Sequence, residues 1–131
     1  MLGTVRYQIN VNRPAAEVWD LVGAPERMSE WFPDFVSSTV EGNIRTVRTA
    51  NGIPIPEEIL VCDSILRRFQ YRLDLPIVTH HRGTIDVLDL GDATTLIVYA
   101  TEADPRIMAL VIGAATARAL REIKRQLEEE N

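Results

Sequence analysis

Pro105-Arg106-Ile107-Met108-Ala109-Leu110-Val111-Ile112-Gly113-Ala114-Ala115-Thr116-Ala117 opens the C-terminal stretch whose reading decides the fold. Nothing after Pro105 signals a turn, so the pattern predicts one helix of about 25 residues. Pro105 suits its first turn, having a fixed φ and no donor to lose, and Asp104 stands where a cap is needed. The first half, with Met108, Leu110, Val111 and Ile112, is apolar nearly all round, which predicts burial along much of its circumference. At Gly113-Ala114-Ala115 the small side chains either let a neighbour approach closely, the commoner case, or leave volume beneath the helix. The second half is amphipathic, and the mixed charges from Arg118 to Glu130 read as its solvated side.

A helix so apolar needs a large apolar partner, and the preceding residues supply strands. Turn signals at Glu41-Gly42-Asn43, Ala50-Asn51-Gly52, Cys62-Asp63-Ser64, Leu75-Pro76 and Leu90-Gly91-Asp92 divide the chain between Phe35 and Thr101. The predicted strands span 35–41, 44–50, 57–62, 67–74, 79–89 and 94–101. A further strand opens the chain, where Val5, Tyr7, Ile9 and Val11 alternate with Arg6, Gln8 and Asn10. After it, a helix begins near Pro14 with Asn12 or Arg13 as its cap and Val18, Trp19, Leu21 and Val22 as its apolar side. Gly23-Ala24-Pro25 breaks that helix, and a second short piece runs from Glu26 to Trp31 before Pro33 ends it.

At 131 residues and 14.7 kDa the chain fits a single domain, 1–131, able to bury a core without a disulfide or structural metal. Cys62 is the one cysteine, read as an inert small hydrophobe. The net charge of −5 and the scattered basic residues argue against nucleic acid as a partner. No apolar run reaches the roughly 18 residues of a membrane span, and no signal region precedes the first strand, so a cytoplasmic protein without integral membrane association is expected.

Five segments resemble the START-like, or Bet v 1-like, superfamily, in particular its bacterial polyketide cyclase/dehydrase and lipid-transport branch. They are Pro14-Ala15-Ala16-Glu17-Val18-Trp19, Glu30-Trp31-Phe32-Pro33, Glu57-Glu58-Ile59-Leu60-Val61-Cys62-Asp63, Phe69-Gln70-Tyr71-Arg72-Leu73 and His81-Arg82-Gly83-Thr84-Ile85. The superfamily pattern often has an arginine after the glutamate in the fourth strand, where this chain has Glu58. The resemblance implies an α+β helix-grip fold: a curved, seven-stranded antiparallel sheet wraps the long C-terminal helix, with two short helices after strand 1 and a pocket for a hydrophobic small molecule.

Strand parity then selects the wall that the resemblance implies, because alternate side chains face opposite sides. One face carries Glu57, Ile59 and Val61; another Phe69, Tyr71 and Leu73; another His81, Gly83, Ile85 and Val87. In the seventh strand Leu96, Val98 and Ala100 are preferred over Ile97, Tyr99 and Thr101. Met108, Val111, Ile112 and Ala115 would border the pocket from the helix, and Trp31 and Phe32 would line its mouth. The loop with Gly52, Ile53 and Pro54 matches a gate of hormone-binding relatives, although an ordinary hairpin connection explains the same residues.

His80 and His81 are adjacent in a strand, point apart and cannot close on one ion, so no metal site is expected. Glu57 and Glu58 diverge likewise. No nucleophile triad, phosphate loop or dinucleotide fingerprint is present, and no cofactor is expected. The leading reading is therefore a non-enzymatic binder or carrier of a small hydrophobic or amphipathic molecule, as monomer or homodimer, with Tyr71, His81 and Glu57 orienting its polar end. The rival is a polyketide cyclase, aromatase or dehydratase in which His81 or Glu57 serves as acid or base.

Overall fold

The structure, a computed structural model, describes residues 1–129; Glu130, at the end of the charged stretch, lies outside them. The described residues form one antiparallel sheet of seven strands: β1 (Gly3–Val11), β2 (Phe35–Glu41), β3 (Ile44–Thr49), β4 (Pro54–Asp63), β5 (Arg68–Leu73), β6 (His80–Gly91) and β7 (Thr94–Asp104). Helices α1 (Ala15–Val22) and α2 (Met28–Trp31) lie between β1 and β2, and α3 (Arg106–Glu129) follows β7. The strand order β1-β7-β6-β5-β4-β3-β2 makes every adjacent pair a sequential hairpin except β1 with β7. This is the expected α+β helix-grip arrangement.

Local chemistry explains where the boundaries depart from expectation. β4 starts at Pro54 rather than residue 57 because the missing N–H groups of Pro54 and Pro56 fall on the side where β5 has already ended, its last partner being Leu73 opposite Glu57. β7 runs on to Asp104 because it is paired on both flanks, Gly3 with Ala103 and His80 with Asp104. Asp104 is thus a strand residue rather than a helix cap, and its carbonyl oxygen accepts from the Thr79 amide at 2.8 Å. At α1 the cap position falls on Pro14 rather than Asn12 or Arg13; its carbonyl accepts from Glu17 and Val18.

α3 lies along β1 and β7 and buries Ala109, Gly113, Thr116, Leu120, Ile123 and Leu127. At Gly113 the small residue serves close approach: a Cβ there would stand 2.3 Å from Val5 Cγ2. Burial along much of the circumference of the first half of the helix does not occur. Ile107, Leu110 and Val111 are 61%, 57% and 58% exposed, since the sheet covers one side of α3 and nothing among the described residues covers the other. At its far end Lys124 Nζ donates to the Asn10 carbonyl at 2.7 Å and Glu128 accepts from the Asn12 amide at 2.9 Å, tying the helix to the end of β1.

Candidate ligand-binding site

The concave face of β3 to β7 is polar where a simple core would be apolar. Arg45 on β3 shares its face with buried Val47, and Glu57 on β4 is its cross-strand neighbour. Arg45 Nε donates to Glu57 Oε1 at 2.6 Å, and both side chains are 1% exposed. The guanidinium also lies over two rings, 4.9 Å from the Phe69 centroid and 5.1 Å from that of Tyr71. Burial pushes the Glu57 carboxyl above the usual range, and Arg45 opposes that rise.

Beside this pair, the Tyr71 and Tyr99 hydroxyls are hydrogen-bonded at 2.5 Å. Burial raises both phenols, so both are neutral. Only one hydroxyl can donate within the pair, which leaves the other proton for a third group. Tyr71 also faces His81, their ring centroids 5.5 Å apart, and Trp31 meets Tyr99 edge-on at 6.4 Å.

His81 Nδ1 accepts from the Leu73 amide at 3.0 Å, so the ring proton of the neutral imidazole sits on Nε2. Burial, reinforced by His80, lowers its ionisation to about 4, and the ring is neutral near pH 7. Nε2 is buried and has no partner among the described residues, as are Arg45 Nη2, Trp31 Nε1 and Thr101 Oγ1. Thr101 lies opposite Gly83, which lies opposite Tyr71, while Arg45 and His81 lie against Tyr71 and Trp31 against Tyr99, so the residues carrying these orphans border the tyrosine pair. Three of the four can only donate in this state, so what these atoms lack is hydrogen-bond acceptors.

Several residues chosen from sequence lie on this face. Glu57, Phe69, Tyr71, His81, Ile85, Trp31 and Phe32 are buried there or against it, and Ile59 and Ala115 pack on the same cluster. Met108 and Ile112 are half-buried on α3. Three expectations are corrected. A bulge between Ile59 and Val61 sets Val61 opposite Gln70 rather than on the face of Glu57 and Ile59. Val98 faces the opposite side, because β7 buries Thr95, Ile97, Tyr99, Thr101 and Ala103. Val111 points into solvent, away from the sheet. In the expected gate, Pro54 belongs to β4, opposite Arg48, while Gly52 (φ +84°) and the exposed Ile53 form a turn held by Thr49, whose amide donates to the Ile53 carbonyl at 3.1 Å. Glu58 faces outward and pairs with Arg72 at 3.0 Å.

Arg45 is absent from the residues the sequence singles out, and Tyr99 and Thr101 belong to the face of the seventh strand that is not preferred there. Arg45 had a usable signal, its parity with Val47 in a strand whose inner face must be apolar. Tyr99 and Thr101 follow from β1, since the register Ile9 to Ile97 and Tyr7 to Tyr99 transfers the parity of the first strand to the last.

A family model described as polyketide cyclase / dehydrase and lipid transport matches residues 3–129. No curated protein matches the chain. Among solved structures, the protein XoxI from Bacillus cereus is similar at TM-score 0.90 and 21% identity, over 98% of this chain and 99% of that one. The Zhui aromatase/cyclase from Streptomyces sp. R1128 is similar at TM-score 0.81 and 18% identity, over 98% and 94%. Norcoclaurine synthase from Thalictrum flavum, solved with dopamine and hydroxybenzaldehyde, is similar at TM-score 0.77 and 17% identity, over 100% and 89%. At these identities the three likenesses establish the fold.

Proposed function

Because the chain belongs to the polyketide cyclase / dehydrase and lipid transport family, we propose that its concave face binds a small, mainly apolar molecule whose polar end accepts hydrogen bonds, such as a carbonyl. The observation that carries this reading is the set of buried donors without partners: His81 Nε2, Arg45 Nη2 and Trp31 Nε1. A buried donor left unpaired costs about 1–3 kcal/mol, so an acceptor that satisfies even one of them is strongly preferred over a hydrocarbon of the same shape. Phe69, Ile85, Ile59 and Ala115 supply the apolar surroundings. The test uses a matched pair of probes, fluorenone and fluorene, which differ by a carbonyl in place of a methylene. Fluorenone is expected to bind at least tenfold more tightly, with the margin reduced in Trp31→Phe and in His81→Leu, each of which removes a donor; equal affinities for the two would overturn the proposal.

Conversion of the bound molecule is the second reading, and the tautomer of His81 favours one form of it. With Nδ1 occupied by the Leu73 amide, Nε2 donates and cannot abstract a proton. His81 and the free phenol proton then polarise a ketone and stabilise the enolate oxygen of a β-dicarbonyl, whose acidic α-proton passes to solvent water, as donors aimed at developing charge do. Glu57 is held by Arg45 and is no free base. Loss of water from a poly-β-ketone probe, faster with wild type than with His81→Gln, would establish conversion over carriage.

A further inference from the structure

The sheet divides between β5 and β6. Their ladder ends at the pair Tyr71 and Gly83. Beyond that point β5 stays with β4, through Glu57 opposite Leu73 and the Asp74 amide donating to the Pro56 carbonyl at 3.0 Å. β6 stays with β7, through His81 opposite Ala103 and the Thr79 amide donating to the Asp104 carbonyl at 2.8 Å. Across the gap, the Leu73 amide that would have met a β6 carbonyl meets the imidazole of His81 instead. A side chain therefore occupies a place in the sheet where backbone pairing has stopped.

A cleft of about 310 Å3 opens at this gap. Its walls include the outward residues Pro56, Glu58, Arg72, Thr79 and His80, together with the buried Glu57 and His81. The cleft thus runs from the solvated outer face to the outer boundary of the polar cluster, with the His81 ring between them. Its outer wall is mainly charged and polar, with Ile44, Pro56 and Val78 as its apolar members, whereas α3 offers the apolar Met108 and Ile112. Four buried polar atoms of the cluster have no protein partner, and such atoms are ordinarily met by water when no ligand supplies them.

We propose that the gap between β5 and β6 is a polar portal, closed by the His81 side chain, through which water and other small polar molecules exchange with the buried cluster separately from any apolar ligand. A backbone-paired sheet offers no such route, because opening it breaks several ladder bonds at once. Here one side-chain bond bridges the opening, and rotation of one ring clears it. The portal stands on the ladder geometry and holds whether the interior carries or converts its ligand.

The test places a thiol at the portal, His81→Cys in a Cys62→Ser background, and measures its reaction with a small methanethiosulfonate reagent. Thr79→Phe, on the outer wall, is expected to slow the reaction at least tenfold, and Ile112→Phe, on the helix side, to leave it within twofold. An unreactive thiol, or one slowed only by Ile112→Phe, would overturn the portal. A second measurement keeps the histidine in place, in case its replacement prevents folding: quenching of Trp31 by acrylamide in a Trp19→Phe background. Thr79→Phe is expected to lower that quenching at least twofold and Ile112→Phe to leave it unchanged; the reverse pattern, or no effect of either, would overturn the proposal.

Discussion

Gly83 lies so close beneath Tyr71 that a Cβ on it would stand 2.6 Å from the tyrosine Cζ and 2.9 Å from its hydroxyl oxygen. The absence of a side chain on β6 is what lets the Tyr71 ring lie across the sheet and reach Tyr99. Gly83→Ala must therefore push the ring aside and break the phenol pair, at about 1–3 kcal/mol for overpacking. Urea denaturation of Gly83→Ala and of Gly83→Ala/Tyr71→Phe checks this. The second variant, with no pair left to break, is expected to show a smaller penalty for the alanine.

The buried pair of Arg45 and Glu57 predicts a non-additive result. Glu57→Leu leaves a buried guanidinium without its carboxylate and is expected to cost about 3–5 kcal/mol. Arg45→Met/Glu57→Leu removes both charges and is expected to recover most of that loss. A double-mutant cycle read by chemical denaturation measures the coupling; additive penalties would show that the pair is solvated or unformed.

Stability should fall in mild acid through His81. Its folded ionisation is lowered to about 4 from an ordinary 6.5, so the unfolded chain binds more protons between those values. The penalty is absent above the unfolded value, grows as pH drops from 6.5 and levels off near 4. At pH 5 it amounts to about 2 kcal/mol. Unfolding free energies of wild type and His81→Gln at pH 7 and pH 5 test the assignment; the variant is expected to lose that much less on acidification.

The two sides of α3 should respond oppositely to truncation. Val111, in solvent, is expected to tolerate serine within about 0.5 kcal/mol. Ile123, fully buried against the sheet, is expected to cost about 2–5 kcal/mol when cut to alanine. Ala115→Trp, at the edge of the core, is expected to weaken binding of fluorenone more than it lowers the thermal midpoint, as a side chain that fills ligand space does.

The architecture was legible because its signals are local. Alternation in β1, turns such as Glu41-Gly42-Asn43 and a breaker-free run after Pro105 each act within a few residues. The half-exposed α3 was not legible, since apolar character around a helix does not say how much of it a sheet will reach, and only the concave face does so. The facing of β7 failed for a related reason. Both of its faces carry apolar residues, and the deciding information lies in β1, far away along the chain. Arg45 was hidden by habit of composition: an arginine in a strand reads as a solvent residue until its partner is found at Glu57, across a hairpin. The orphan donors could not be seen at all, because a missing partner is a property of packing.

The pairing of β1 with β7 also dictates when this protein can fold. Gly3 sits opposite Ala103, and Val11 opposite Thr95. During synthesis β1 emerges long before β7, the one strand it pairs with among the described residues, and α3, which covers it, comes later still. Contacts this distant along the chain slow folding and lengthen the time an amphipathic strand stands unpaired. The sheet cannot close before β7 is out, and a nascent chain stalled short of it carries an unpaired amphipathic strand for chaperones to shield. A circular permutant would shorten that wait: α3 ends beside Asn12 and β1 begins beside Arg106, so a flexible linker of roughly a dozen residues, running back along β1, is needed to join residue 129 to residue 1; with new termini in the β2–β3 turn, β7, α3 and β1 then emerge in succession.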